Sequence, residues 1–149
     1  MEIENKLKAM GLELPTAGTP SAGRAGAVKV GNLLFVGGHT PGADFRGKLG
    51  ADITVEQGYE GAKQAMLACL ADVKAVLGDL DKVKQVAKLL CMVNCLPDFG
   101  QQPAVANGAT DLLSELYGDA GAHARSAVGM GSLPNQACIE IEMIIEIAD

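Results

Sequence analysis

The residues with the most chemical potential lie near the end of the chain, in HARSAVGMGSLPNQACIEIEMIIEIAD, residues 123–149. Arg125 precedes the loop GSLPN, and Glu140 follows it in a run of alternating character. Ile139, Ile141, Met143, Ile145 and Ile147 point one way, while Glu140, Glu142 and Glu146 point the other. Such alternation marks a half-buried strand. If RSAVGM and QACIEIEMIIEIA are the arms of an antiparallel hairpin, Arg125 faces Glu140 and Ala127 faces Cys138. Cross-strand neighbours then have Cβ atoms about 5 Å apart. A guanidinium offers a two-pronged fork for a carboxylate and stays charged at any working pH. A neighbouring carboxylate can orient water or take its proton. On pattern alone the plainer account is preferred, a structural ion pair beside a solvated acidic face, because such pairs are common and worth little.

Other reactive side chains read less sharply. His39 follows Gly37-Gly38 and is placed either to move protons near neutrality or to bond to loop backbone. His123 falls in the linker before Arg125, and Tyr117 on the apolar side of a helix, where it packs. Cys69, Cys91, Cys95 and Cys138 show no CxxC spacing, and with two histidines in the chain a closed metal site would need an unusual ligand set. They are expected to be reduced thiols packed as small apolar groups. Neither Gly37-Gly38 nor Gly129-Met130-Gly131 has the spacing of a phosphate-binding loop.

The elements that must position these residues follow from periodicity. A chain of 149 residues with 48% hydrophobic and 20% charged residues is a single globular domain spanning 1–149. Residues 1–14 form a short amphipathic helix through Ile3, Leu7 and Met10, and the Gly, Pro and Ser content after it makes a loop, so 1–23 is an extension. AVKVGNLLFVGG reads as a hairpin turning at Gly31-Asn32. Val55, Tyr59, Ala62, Met66, Cys69, Val73 and Val76 outline a long helix capped by Thr54 and ended by Gly78. A strand from about Val86 to Leu96 is apolar on both faces. Ala106, Ala109, Leu112, Leu113 and Leu116 outline a second helix that stops at Gly118.

Two substantial helices can cover one face of one sheet. The second apolar face requires another partner, and a second copy of the chain meets that need most simply, sheet to sheet around an axis. The net charge of −6, without a Lys/Arg run, argues against a nucleic-acid partner. No long apolar stretch or signal-like h-region is present, so neither a membrane partner nor export is expected, and the expected compartment is the cytoplasm.

The order and spacing of VKVGNLLFVGGHTP, VNCLPDF, Asn107 and HARSAVGMGSLPNQACIEIE resemble the reactive-intermediate deaminase family, also called RidA or YjgF-like, and in older usage endoribonuclease L-PSP. The similarity covers nearly everything after Gly23. It implies an α+β, chorismate-mutase-like fold, one mixed sheet backed by two α-helices, in a homotrimer whose sheets face the trimer centre. It further implies hydrolysis of small 2-imino or 2-enamine acids to 2-oxo acids and ammonia, without metal or organic cofactor. Arg125 would anchor the substrate carboxylate and Glu140 would hold the attacking water, with Arg24, Gly37, Gly38, His39, Asn107 and Ala127 around the substrate. The chain departs from the family where Arg24 replaces a tyrosine, Gly37-Gly38-His39 replaces a serine-containing segment and Ala127 replaces a cysteine. These changes leave a second expectation open, a non-catalytic trimer that binds a small carboxylate metabolite in its clefts and regulates a partner. The older nuclease label fits poorly with an acidic chain lacking a basic aromatic groove.

Overall fold

The computed structural model describes residues 1–19, 21 and 23–149, so the expected 1–23 extension includes two positions, Pro20 and Ala22, outside the described residues. The elements, in order, are α1 (Glu2–Ala9), β1 (Ala27–Val30), β2 (Leu33–His39), α2 (Val55–Leu77), β3 (Val83–Asn94), α3 (Gln102–Tyr117), β4 (Ala124–Met130) and β5 (Ile139–Ile147). The strands form one mixed sheet in the order β1-β2-β5-β3-β4, with β3 and β4 parallel and the other neighbours antiparallel.

Each long element has a local cause. At the start of α2 the Thr54 hydroxyl accepts from the Gln57 amide at 3.1 Å, and the Gln57 side chain accepts from the Thr54 amide at 2.9 Å. This reciprocal box satisfies two amides that the first helical turn leaves without partners. Gly78 ends the helix at φ 81°, a left-handed conformation costly to other residues. The turn between β1 and β2 likewise uses Gly31 at φ 61°. α2 and α3 cross closely at Gly108, where a Cβ would lie 1.9 Å from the Tyr59 carbonyl oxygen. That approach seats Asn107 and Thr110 of α3 above the sheet edge.

The core lies between the two long helices and one face of the sheet. Leu34, Val36, Leu89, Cys91, Val93, Ile139, Ile141, Met143 and Ile145 are buried there against Met66, Leu70, Leu113 and Leu116. α1 is a third helix, beyond the two expected to back the sheet. It buries Ile3 and Leu7, and its first amides, Glu2 and Ile3, donate to Asp81 at 2.8 and 2.9 Å. Among the described residues no layer of the single chain covers the opposite face of the sheet. Val28, Val30, Phe35 and Val128 are exposed on it, with Leu90, Met92 and Ile144 half-buried between them.

One expectation from sequence is overturned. β4 and β5 are not the arms of a hairpin, because β3 lies between them and pairs with both. Arg125 is opposite Leu89, Glu140 opposite Met92, and Ala127 opposite Cys91 rather than Cys138. A strand apolar on both faces belongs inside a sheet, with a neighbour on each side. The segment after β4 therefore passes over the end of β3. Buried Asn94 holds it there, donating from its side chain to the Ala137 carbonyl at 3.1 Å and from its amide to the Cys138 carbonyl at 2.9 Å. The Lys48 ammonium donates to the Asn94 side chain at 2.7 Å and also to the Gly131 carbonyl.

Candidate functional site

The candidate residues fall into two groups on one chain. The first surrounds Arg125. β4 is an edge strand, and Arg125 shares the helix-facing side of the sheet with Leu89 and Met143. Its guanidinium donates from one nitrogen to the Asn107 side-chain oxygen at 2.8 Å and to the Thr110 hydroxyl at 2.9 Å. Asn107 and Thr110 are three apart on α3 and so present on one helix face. Among the described residues no carboxylate pairs with Arg125, and its remaining nitrogens have no protein acceptor. The pocket beside it, about 500 Å³, is lined by Asn107, Thr110, Ser114, Asp119, His123 and Arg125, together with backbone at Gly118, Gly121 and Ala122.

His123 belongs to this group and has a defined tautomer. Its Nδ1 lies 2.7 Å from the Gly121 carbonyl, which can only accept, so Nδ1 carries the proton in the neutral ring. Nε2, 3.1 Å from the Thr110 hydroxyl, then accepts from it. Thr110 thus gives its proton to His123 and its lone pair to Arg125. Sequence reasoning placed His123 in a solvated linker and missed Thr110; the signal available for the latter was its position three residues after Asn107.

The second group surrounds Glu140. Arg24, Gly37, Gly38, His39, Asp72 and Glu140 line a pocket of about 400 Å³ at the end of β2, completed by residues 18, 19, 25 and 26. An irregularity between Val36 and His39 inserts one extra residue into β2, which turns the Gly37-Gly38 pair and re-aims His39 toward α2. The glycine at 38 makes space for the acid, since a Cβ there would lie 2.2 Å from Glu140 Oε2. Arg24 is exposed at the mouth, and His39 Nε2 lies 2.6 Å from Asp72 Oδ2. Asp72, buried on the apolar side of α2, was missed from sequence although it stands three residues after Cys69.

A single chain does not join these groups. Arg125 and Glu140 project from opposite faces of the sheet, separated by β3 and by three residues along it, about 14 Å by strand spacing. Ala127 lies two residues after Arg125 on the same face and does not line the Arg125 pocket. The four cysteines are free and buried. Burial pushes the Cys138 thiol up to about 11, and also Cys91 up to about 11 against the opposing pull of Arg125. Cys69 is raised further by burial. Thiols so held are poor nucleophiles. Among the described residues no helix is long and apolar enough to cross a membrane.

Comparison with known proteins agrees with this architecture. The family described as "YjgF/chorismate_mutase-like, putative endoribonuclease" matches residues 4–147. Protein TCP17 of Trypanosoma cruzi is 40% identical over 150 residues, covering 97% of this chain and 94% of that protein. The crystal structure of Atu1372 from Agrobacterium tumefaciens is similar at a TM-score of 0.91 and 40% identity, covering 98% of this chain and 92% of the other. A Shewanella oneidensis structure bearing the same endoribonuclease name has a TM-score of 0.92 at 30% identity, over 99% of this chain and 100% of its own.

Proposed function

Because the chain belongs to the YjgF/chorismate mutase-like family, we propose that it hydrolyses small 2-imino or 2-enamine acids to 2-oxo acids and ammonia, in clefts between copies of itself. The observation that carries this reading is the state of Arg125. Its guanidinium is oriented by two neutral oxygens, from Asn107 and Thr110, with no carboxylate partner among the described residues. A half-buried cation held in this way is set for an incoming carboxylate, which it can grip through its remaining donors.

In the proposed reaction Arg125 fixes the substrate carboxylate and Glu140 holds the water that adds to the C=N carbon. Positioning of this kind lowers the barrier by making the encounter effectively intramolecular. Since the two side chains leave opposite faces of one sheet, the proposed cleft takes Arg125 from one copy and Glu140 from the next. The exposed side of the sheet supports such assembly, because Val28, Val30, Phe35 and Val128 form an apolar surface of the kind that marks an interface. A homotrimer with these faces toward its centre is the proposed form.

The test is to generate imines from several amino acids with an amino-acid oxidase and follow 2-oxo acid formation. The wild type should accelerate hydrolysis, and Arg125→Ala should abolish the acceleration. A second reading is favoured by Gly37, which leaves the Glu140 pocket without the serine hydroxyl of typical deaminases. In that reading the clefts bind a small carboxylate metabolite without turning it over. Thermal stabilisation by 2-oxo acids with no hydrolysis of any imine would support it.

A further inference from the structure

We propose that His39 and Asp72 form a proton-relay dyad in the Glu140 pocket, with His39 as a catalytic residue that exchanges protons with the substrate and Asp72 as the residue that positions it. The inference rests on the deaminase reading above and adds the group that moves the protons.

The starting point is an acid where packing calls for none. α2 buries Met66, Leu67, Cys69, Leu70 and Val73, and Asp72 stands among them with 5% of its surface exposed. A buried carboxylate is costly unless it is paired and hydrogen-bonded. Its partner is His39, 2.6 Å away, whose side chain is 23% exposed. The backbone before β1 closes over the carboxylate, and a Cβ at Gly26 would lie 2.4 Å from Asp72 Oδ2. Gly26 also accepts from the Gly37 amide at 2.9 Å, so the same glycine ties the dyad to the segment that makes room for Glu140.

The geometry sets the tautomer. A carboxylate accepts, so His39 Nε2 carries the proton and Nδ1 of the neutral ring holds a lone pair. Nδ1 has no hydrogen-bond partner among the described residues and is not sealed from solvent. His39 and Glu140 line the same pocket, so this unbonded nitrogen is the ring atom left to exchange protons there. The charged and titratable groups around His39 are Asp72 from α2, Glu140 from β5 and Arg24 from the segment before β1, with the Cys69 thiol buried nearby against the Ile141 carbonyl.

In the resulting sequence, the water oxygen bonds to the C=N carbon of the protonated imine as the π pair moves to nitrogen, and the released proton passes to His39 Nδ1. The imidazolium, held by Asp72, returns that proton to the amine nitrogen. The C–N bond breaks with its pair leaving on ammonia, and the hydroxyl oxygen closes to C=O, its proton passing through His39 to the ammonia. Iminium and water become oxo acid and ammonium, with no other reactant. Glu140, an acceptor only while ionised, holds the water; imidazole both takes and gives protons near neutrality.

The test compares kcat/KM against pH for wild type, His39→Gln and Asp72→Asn, using imines generated by an amino-acid oxidase, with thermal unfolding of each protein in parallel. His39→Gln should lose on the order of 100-fold and the inflection on the acid side of the profile. Asp72→Asn should lower kcat with KM little changed, because the imidazolium formed during proton transfer loses its anionic neighbour; a purely structural Asp72 would lower the melting temperature and leave kcat in place. Imidazole added to His39→Ala should restore part of the rate. Nitrogen NMR of the wild type, which needs no variant to fold, should find the His39 proton on Nε2. A proton on Nδ1, or an active wild type with His39→Gln equally active, overturns the dyad and leaves the deaminase reading standing. A wild type that hydrolyses no imine overturns both.

Discussion

Arg125 and Glu140 leave opposite faces of the same sheet, on strands separated by β3. The guanidinium meets Asn107 and Thr110 on the helix side, while the carboxylate lies over Gly38 at the far end of β2. No side-chain rotation within one chain can bring them to a common substrate. In the proposed assembly the sheet's exposed apolar face brings a neighbouring copy's groups into range.

The orientation of Arg125 depends on α3. Asn107→Leu removes one acceptor from a charged donor, a bond of the order of 1.5–3 kcal/mol. A rise in KM of roughly 10-fold to 100-fold is expected, with kcat less affected, because the lost interaction holds the substrate before and during reaction alike. Steady-state kinetics with two imines of different side chain will check it.

Gly38 and Gly37 provide a matched pair of substitutions. Gly38→Ala places a methyl group 2.2 Å from the Glu140 carboxylate and must displace it, whereas at Gly37 the nearest atom to a new Cβ is the Gly26 carbonyl oxygen at 3.5 Å, an ordinary contact. Neither glycine has a positive φ. Gly38→Ala should fold and lose most of its activity, and Gly37→Ala should keep both. Melting curves alongside activity separate displacement of the acid from damage to the fold.

Assembly should respond to charge on the uncovered face. Phe35 and Val128 are exposed there in the single chain, at 41% and 40%. Phe35→Lys or Val128→Glu leaves the core untouched but buries a charge in any sheet-to-sheet interface, at high cost. Light scattering should show a smaller species, with activity falling in proportion to the loss of the assembled form.

Docking of α1 should weaken in acid. The amine of Met1 and the amides of Ile3 and Glu2 hold the Asp81 carboxyl down to about 2. A depressed carboxylate contributes stability that is present above its unfolded value and disappears as pH falls through its folded one. Asp81→Asn should therefore lower the melting temperature near neutrality, and its difference from wild type should vanish between about pH 4 and pH 2. Melting curves across that range provide the measurement.

Sequence made the elements legible and left their neighbours open. α2 could be bounded at both ends because Thr54 and Gly78 announce a cap and a stop, and Gly31-Asn32 fixed the first hairpin. The alternation from Ile139 to Ile147 showed which residues face the core. It could not show which strand lies alongside, because a face pattern is the same for either neighbour. Eight residues after Met130 can turn back or cross over β3; the outcome depends on Asn94 and Lys48, whose long-range bonds leave no local signature. Asp72 was hidden for a related reason. A helical period detects the apolar residues around it, while its purpose depends on His39, 33 positions away in sequence.

The central claim is that each site takes Arg125 from one copy and Glu140 from another. Arg125→Ala and Glu140→Ala should each be inactive alone. Co-assembled in equal amounts by unfolding and refolding together, they should regain about a quarter of wild-type activity, since random assembly into a closed ring unites an intact arginine with an intact glutamate at that share of interfaces. A co-assembled mixture as inactive as either variant alone would contradict a shared site.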